Sequence, residues 1–416
     1  MNLKEAIKLL KSNVEVVSNY TYMTILQVVN SFFYILIYPF VISAIGVESY
    51  GLYVYAASIS TYFFVLVSFG FDIHAAKLVS IDQKDNVLHV KILSTVTAAK
   101  LILALVSISV GVVLYAIVPF VESNKALFTI CFSNILSSVF LPTWYFHGVQ
   151  KMKIVTFIQL IAKFLSLPII YMVLSRDPVV DAYALIVVAT SIAASLLAFL
   201  SALMMMKEKL VMPSLGDVSK MMKDSQPFFW SSATNTFKQK SVEVIIGSLF
   251  GMTTLAVYDL AYKIFSVPSL LASNINAAIF PKLVKGADRT IINKIIKVEF
   301  VIGVICMISV GVAGYWVIQV INIPGMQDAH FLSMLLSVNI VTYLVVGSHI
   351  YFIYVPRDRY DLVLNNQVVS VLTFYLLSVV FLWLYWDVYS VVSALVGSAL
   401  FEIMYSYYLV RRVERY

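Results

Sequence analysis

The sequence predicts an all-α polytopic membrane protein of twelve transmembrane helices, divided six plus six. Three observations predict it: the composition, the length of the apolar runs, and the side on which the basic residues fall. Of 416 residues, 61% are hydrophobic and 12% charged, and the mean hydropathy is +0.91. A soluble chain carries about 25% charged residues. Too few polar side chains remain here to coat a water-facing exterior. The same figures exclude a disordered chain, a disulfide scaffold and a collagen-like fibre.

A spanning helix needs about 20 mainly apolar residues. Windows of that length fall at 20–45, 51–71, 92–117, 126–147, 154–174 and 180–205, and again at 227–250, 254–280, 298–321, 331–355, 362–385 and 389–410. The runs are too long and too uniformly apolar for the alternating strands of a membrane barrel. Basic residues then fall in alternate connections. Lys4, Lys8 and Lys11 precede the first span, and Lys77, Lys84 and Lys91 follow the second. The series continues through Lys151 and Lys153; Lys207, Lys209, Lys220 and Lys223; Lys282, Lys285, Arg289, Lys294 and Lys297; Arg357 and Arg359; and Arg411, Arg412 and Arg415. Only Lys125 and Arg176 lie on the other side. The positive-inside rule makes both termini cytoplasmic. The formal charge of +7 is thus topological, and no nucleic acid partner is expected.

Domain boundaries follow. Residues 1–19 carry Leu3, Ile7, Leu10, Val14 and Val17 at helical spacing with lysines between them, as in an amphipathic helix lying on the cytoplasmic membrane surface. An N-terminal lobe spans 20–205, a cytoplasmic linker 206–226, a C-terminal lobe 227–410 and a basic tail 411–416. An internal repeat supports six plus six. AIGVESYGLYVYAASI (Ala44–Ile59) lies on LFGMTTLAVYDLAYKI (Leu249–Ile264) without gaps, matching Gly46 to Gly251, Tyr53 to Tyr258, Ala56 to Ala261 and Ile59 to Ile264. Repeats of an even number of helices keep one orientation, an arrangement used by transporters.

Enzyme signatures are missing. There is no Walker A loop, HExxH, GxSxG or GxGxxG, and the connections are too short for a nucleotide-binding domain. His74, His89, His147, His330 and His349 are scattered, and Cys131 and Cys306 sit in apolar runs without metal-ligand spacing. The protein is not expected to be an enzyme, to bind a metal or to need a cofactor.

The informative residues are charges inside the predicted spans, which are expensive there and face a cavity or a partner. They are Lys100, Lys163, Lys238, Lys240, Glu243, Asp259, Lys263 and Glu402. Lys240 with Glu243 (i,i+3) and Asp259 with Lys263 (i,i+4) share helix faces and can pair. Lys100, Lys163 and Lys238 then exceed Glu402, a positive surplus. At about 1.5 Å per residue, Lys100 and Lys163 lie roughly 12–14 Å inside and Lys238 near 17 Å. Ammonium groups at staggered depth suit an anionic substrate. The alternative is that some snorkel to the interface or bind helix-end carbonyls. The seventh window, with Ser231, Ser232, Thr234, Asn235, Thr236, Lys238, Gln239, Lys240, Ser241 and Glu243, is too polar to face lipid and must line water or substrate. Asp259 and Glu243 are candidate proton- or sodium-linked carboxylates, unless they only neutralise Lys263 and Lys240.

Three segments carry a family resemblance: IGVESYGLYVYAASISTYFFVLVSFGFD (Ile45–Asp72), LPTWYFHGVQKMK (Leu141–Lys153) and Leu249–Ile264. They resemble the Wzx-type O-antigen/polysaccharide flippases of the multidrug/oligosaccharidyl-lipid/polysaccharide (MOP) exporter superfamily. Gly46, Tyr50, Gly51 and Tyr53 match that family's Gly-x-x-x-Tyr-Gly-x-Tyr stretch, Phe69–Asp72 its Phe-Gly-Phe-Asp end, and Pro142, Trp144, Phe146 and Gly148 its Pro-x-Trp-x-Phe-Gln-Gly segment. His147 stands where the family usually has Gln. The resemblance implies two lobes about a cavity in the bacterial inner membrane. It also implies translocation of an undecaprenyl-pyrophosphate-linked oligosaccharide, coupled to H+ or Na+, with membrane lipids and polysaccharide assembly proteins as further partners. Lys100, Lys163, Lys238, Lys240, Lys263 and Asn235 would then bind substrate, and Asp259 and Glu243 would couple the ion. A cation-coupled multidrug exporter of the same superfamily is the main alternative; a membrane glycan polymerase or acyltransferase is another.

Overall fold

A computed structural model describes residues 14–82, 85–283, 289–357 and 359–413. The helix expected over 1–19 falls mostly outside the described residues. All regular structure among them is helical. The helices are α1 (Val14–Ile45), α2 (Val47–Ser68), α3 (Phe71–Ile81), α4 (Asn86–Ile117), α5 (Pro119–Ser123), α6 (Lys125–Ser133), α7 (Ile135–Phe140), α8 (Thr143–Gly148), α9 (Met152–Leu174) and α10 (Val180–Met206). The chain continues through α11 (Leu215–Leu283), α12 (Arg289–Ile321), α13 (Asp328–His349), a π turn over Ile350–Tyr354, α14 (Tyr360–Leu384) and α15 (Val388–Val413).

Among the described residues, ten helical stretches are long and apolar enough to cross a membrane. One of them runs 58 residues, Leu215–Ala272, within α11, which breaks at Gly251 (φ 86°, ψ 169°) and so carries both the seventh and eighth windows. The first window lies on α1. The architecture is therefore that of an all-helical, multi-pass membrane protein. Its lipid-facing surface is apolar, as on α4, where Leu105 is 65% and Val112 63% exposed. Hydrocarbon solvates such side chains as well as a protein core does.

The repeat has a structural counterpart. Gly46 and Gly251, which it aligns, both have φ of 86°, and each opens the second helix of its half. Open space surrounds both glycines, so the backbone angle alone demands them. The Gly251 angles lie in a region that only glycine occupies without strain. We expect Gly251→Ala to lower stability by about 1–3 kcal/mol, read as a lower thermal midpoint in detergent. An unchanged midpoint would mean that this turn relaxes.

The described chain forms two compact units. One comprises residues up to Val29 with Ala56–Ala233, the other Asn30–Tyr55 with Thr234–Tyr416. The division differs from the lobes read in the sequence, because it passes through α1 and α2 and groups 30–55 with the second unit. The reason is local: Tyr38 donates to the Ala256 carbonyl at 2.8 Å, Tyr50 to Asp259 at 2.9 Å, and Tyr55 and Ser248 share a hydrogen bond of 2.8 Å.

In the first unit, α3 packs on α8, α9 on α10, and α10 on α6 and α7. The core gathers Phe71, Val79, Leu93, Trp144, Phe146, Val155 and Met206. Two of the family-like segments meet here. Asp72 accepts from Ser68 at 3.1 Å and from Thr143 at 3.2 Å, tying the end of α2 to α8. Trp144, Phe146 and Gly148 are buried while His147 is exposed, so the departure from the usual Gln falls on the face that does not pack. Leu215–Gln226, expected as linker, is already helix. Its start is set by Ser214, whose hydroxyl accepts from the Asp217 amide at 3.0 Å, a capping arrangement. In the second unit, α12 packs on α13, and α15 packs on both α13 and α14.

Candidate functional site

The second unit holds a cavity of about 410 Å³, within the roughly 300–1,000 Å³ typical of ligand sites. α11 builds one wall. Thr234 and Lys238 are four residues apart, as are Asn235 and Gln239, so all four share a face and all line the cavity. Past the break at Gly251, α11 returns to contribute Tyr258, Tyr262 and Asn276. α13 supplies Asn339, Thr342 and Tyr343, α14 supplies Gln367 and Ser370, and α15 supplies Glu402.

Lys238 is the centre of this arrangement. Its ammonium donates to the Ser370 hydroxyl at 2.5 Å and stands 3.6 Å from the Glu402 carboxylate. Ser370 donates to Glu402 at 2.6 Å and Asn366 to its other oxygen at 3.3 Å. Three helices thus meet through one partly solvated ion pair, with side-chain exposures of 13% and 17%. A charge held this way is oriented, and it is available to whatever enters. Gln239 donates to the Tyr262 hydroxyl, which fixes an amide and an aromatic ring in the same wall.

The other sequence-derived residues lie elsewhere. Lys240 pairs with Glu243 at 2.7 Å, and Lys263 with Asp259. Lys263 also donates to Tyr50 and stands 5.2 Å and 5.0 Å from the centres of the Tyr38 and Tyr50 rings, within cation–π range. Lys100 and Lys163 belong to the first unit. Lys100 is 2% exposed, and its ammonium donates to the Ser138 carbonyl at 2.8 Å; Lys163 is half-buried on α9. The cavity therefore unites Lys238 and Asn235 and leaves the other six candidates in local pairs or in helix packing.

Sequence reasoning weighed Glu402 only as a counter-charge and missed Ser370, Asn276 and Asn339. The signal was present in Asn366 and Ser370, four apart in a window that also carries Asn365 and Gln367. Among the described residues no group of three His, Cys, Asp or Glu side chains is placed to hold a metal.

Residues 16–287 match the family described as "Polysaccharide biosynthesis protein", well over half of the chain. The chain belongs to that family. The matched stretch contains all three segments that resemble the Wzx-type flippases of the MOP superfamily. A relative in Escherichia coli (strain K12), provisionally named an O-antigen transporter, is 20% identical over 267 residues, 64% of each chain. The match thus spans a little under two thirds of that relative's length. Solved structures share the fold of the polysaccharide biosynthesis family member described here. An inward-facing multidrug resistance MATE transporter of the MOP superfamily aligns with a TM-score of 0.65 at 14% identity, covering 89% of this chain and 94% of that one. An outward-facing form gives 0.60 at 16% identity, covering 96% and 95%. A MOP superfamily transporter from Pyrococcus furiosus, whose report describes reverse polarity of its binding pocket, gives 0.59 at 14%, covering 95% and 96%.

Proposed function

We propose that the protein is a flippase that carries an undecaprenyl-pyrophosphate-linked oligosaccharide, an O-antigen or related repeat unit, from the cytoplasmic to the periplasmic leaflet. It would work by alternating access in the bacterial inner membrane, with both termini cytoplasmic and the cycle driven by an H+ or Na+ gradient. The observation that carries this reading is the chemistry of one cavity. Lys238 supplies a cation for a phosphate oxygen. Asn235, Gln239, Asn276, Asn339 and Gln367 supply amides, which both donate and accept as sugar hydroxyls require. Tyr258, Tyr262 and Tyr343 supply faces with an apolar body and a polar rim. Moving a pyrophosphate through hydrocarbon costs many kcal/mol, and a polar cavity lowers that barrier without any covalent step. No enzymatic step is needed.

Lys238 and Asn235 are the substrate contacts of this reading. Lys100, Lys163, Lys240 and Lys263 are further anion contacts along the path, each exchanging its present partner for the substrate. Asp259 and Glu243 remain candidate coupling carboxylates. The E. coli relative supports the substrate class by its name. Glu402 favours the second reading, export of cationic drugs, since a carboxylate in the same cavity would hold a cation.

The test is purified protein in liposomes, with outward movement of a polyprenyl-pyrophosphate oligosaccharide measured beside efflux of a cationic dye. Oligosaccharide movement without dye efflux is expected. Dye efflux with no oligosaccharide movement would transfer the protein to the multidrug reading, and a covalently lengthened glycan would make it a polymerase.

A further inference from the structure

A buried carboxylate that the sequence windows treat as a span edge lies beside the cavity. Glu299 sits on α12, which begins at Arg289 rather than near 298, and it is 1% exposed. Among the described residues it has one hydrogen-bond donor, the Ser348 hydroxyl of α13, and its second carboxyl oxygen has none. Ser348 is itself buried and also lies 3.2 Å from the side-chain carbonyl of Asn276. The Asn276 amide donates to the Leu344 carbonyl at 2.9 Å, and Asn276 lines the cavity.

A hydroxyl has a single proton, so Ser348 cannot serve two acceptors. If Glu299 is ionised, Ser348 must serve it, which leaves the Asn276 carbonyl without a donor. A buried carboxylate would then rest on one hydroxyl with no cation, an arrangement that burial makes costly. If Glu299 carries a proton, the chain of donors closes, and the second oxygen is left buried without a charge, which costs less. Glu299 donates to Ser348, Ser348 to Asn276, and Asn276 to Leu344.

Other charged groups on the packed elements are paired elsewhere or face outward. On α13, His349 hydrogen-bonds Ser406 at 2.9 Å, and His330 lies at the far end against Tyr315. On α11, Lys263 pairs with Asp259 and Lys240 with Glu243. On α12, Lys294 and Lys297 are exposed.

We propose that Glu299 is a proton-binding site of the transport cycle, neutral in this structure, with Ser348 reporting its protonation to Asn276 at the cavity wall. Loss of the proton turns the Ser348 hydroxyl toward the carboxylate. That frees the Asn276 carbonyl to accept from a hydroxyl in the cavity, linking proton release to substrate contact. The coupling part rests on the flippase reading; the proton site does not.

The experiment is pH-difference infrared spectroscopy on the full chain in nanodiscs, paired with proton-gradient transport in liposomes. A protonated-carboxyl band is expected in the wild type, lost at high pH, absent from Glu299→Gln and retained in Glu243→Gln and Asp259→Asn. Ser348→Ala should keep the band but shift its frequency. Under an imposed proton gradient, wild-type movement of polyprenyl-pyrophosphate oligosaccharide should accelerate several-fold, and Glu299→Gln should retain only the downhill rate. A band that survives Glu299→Gln, or a variant that still responds to the gradient, overturns the proposal. So does acceleration by sodium alone. A titrating band assigned to Glu299 in a protein that moves no oligosaccharide would retain the proton site and reject the flippase.

Discussion

Lys238→Ala is expected to reduce oligosaccharide translocation by on the order of 10–100-fold, the worth of a charge-assisted hydrogen bond of about 1.5–3 kcal/mol. The Glu402 carboxylate separates this from simple misfolding. Removing the lysine leaves Glu402 with the Ser370 and Asn366 donors, so the residue left behind is not stranded. The pair is also partly open, which softens the 3–5 kcal/mol or so that breaking a fully buried pair costs. The reciprocal change is more telling. Glu402→Gln releases Lys238 from its counter-charge and keeps the shape, so binding of an anionic headgroup should tighten. A cationic substrate would respond in the opposite sense to both substitutions. Headgroup binding to both variants, measured by calorimetry with a short-chain lipid pyrophosphate, checks the pair. Weaker binding to Glu402→Gln would show that the carboxylate, not the lysine, meets the ligand.

Gly51→Ala should give the largest loss of stability among single methyl additions. The methyl would point into the backbone carbonyl of Met252, just past the Gly251 turn. Backbone cannot swing aside as a flexible side chain does, so α2 and α11 must separate. Overpacking of this kind costs about 1–3 kcal/mol, and here it also strains the hydrogen bonds of Tyr38 and Tyr50. A fall in the thermal midpoint is the expected outcome. A variant as stable as the wild type would mean that these helix ends are only loosely held.

Much of the fold was legible because the bilayer makes length and apolarity decisive. The Gly46/Gly251 correspondence was legible for a related reason, since a backbone angle that only glycine adopts leaves a residue-level trace. The site was only partly legible. Lys238 and Asn235 stood out because α11 is too polar for lipid. Glu402, Ser370 and Asn276 reach the same cavity from helices far apart in sequence, and period and composition say nothing about which faces meet. Glu299 was hidden by a boundary: a carboxylate two residues after Lys297 reads as an interface until the helix is seen to begin ten residues earlier. Lys100 was legible as a charge within a span, but its present partner, the Ser138 carbonyl, lies on another helix that spacing does not reveal.

The interleaving of the two compact units sets an order of events during synthesis. Residues 56–233 share one compact unit with residues made before them. Asn30–Tyr55 do not, because their partners begin at Thr234, about 180 residues later. At roughly 5–20 residues per second, the ribosome needs on the order of 10–40 s to deliver them. During that interval the Tyr38 and Tyr50 hydroxyls lack the Ala256 carbonyl and the Asp259 carboxylate that receive them in the finished molecule. The first spans therefore complete these hydrogen bonds only once the second half of the chain has arrived.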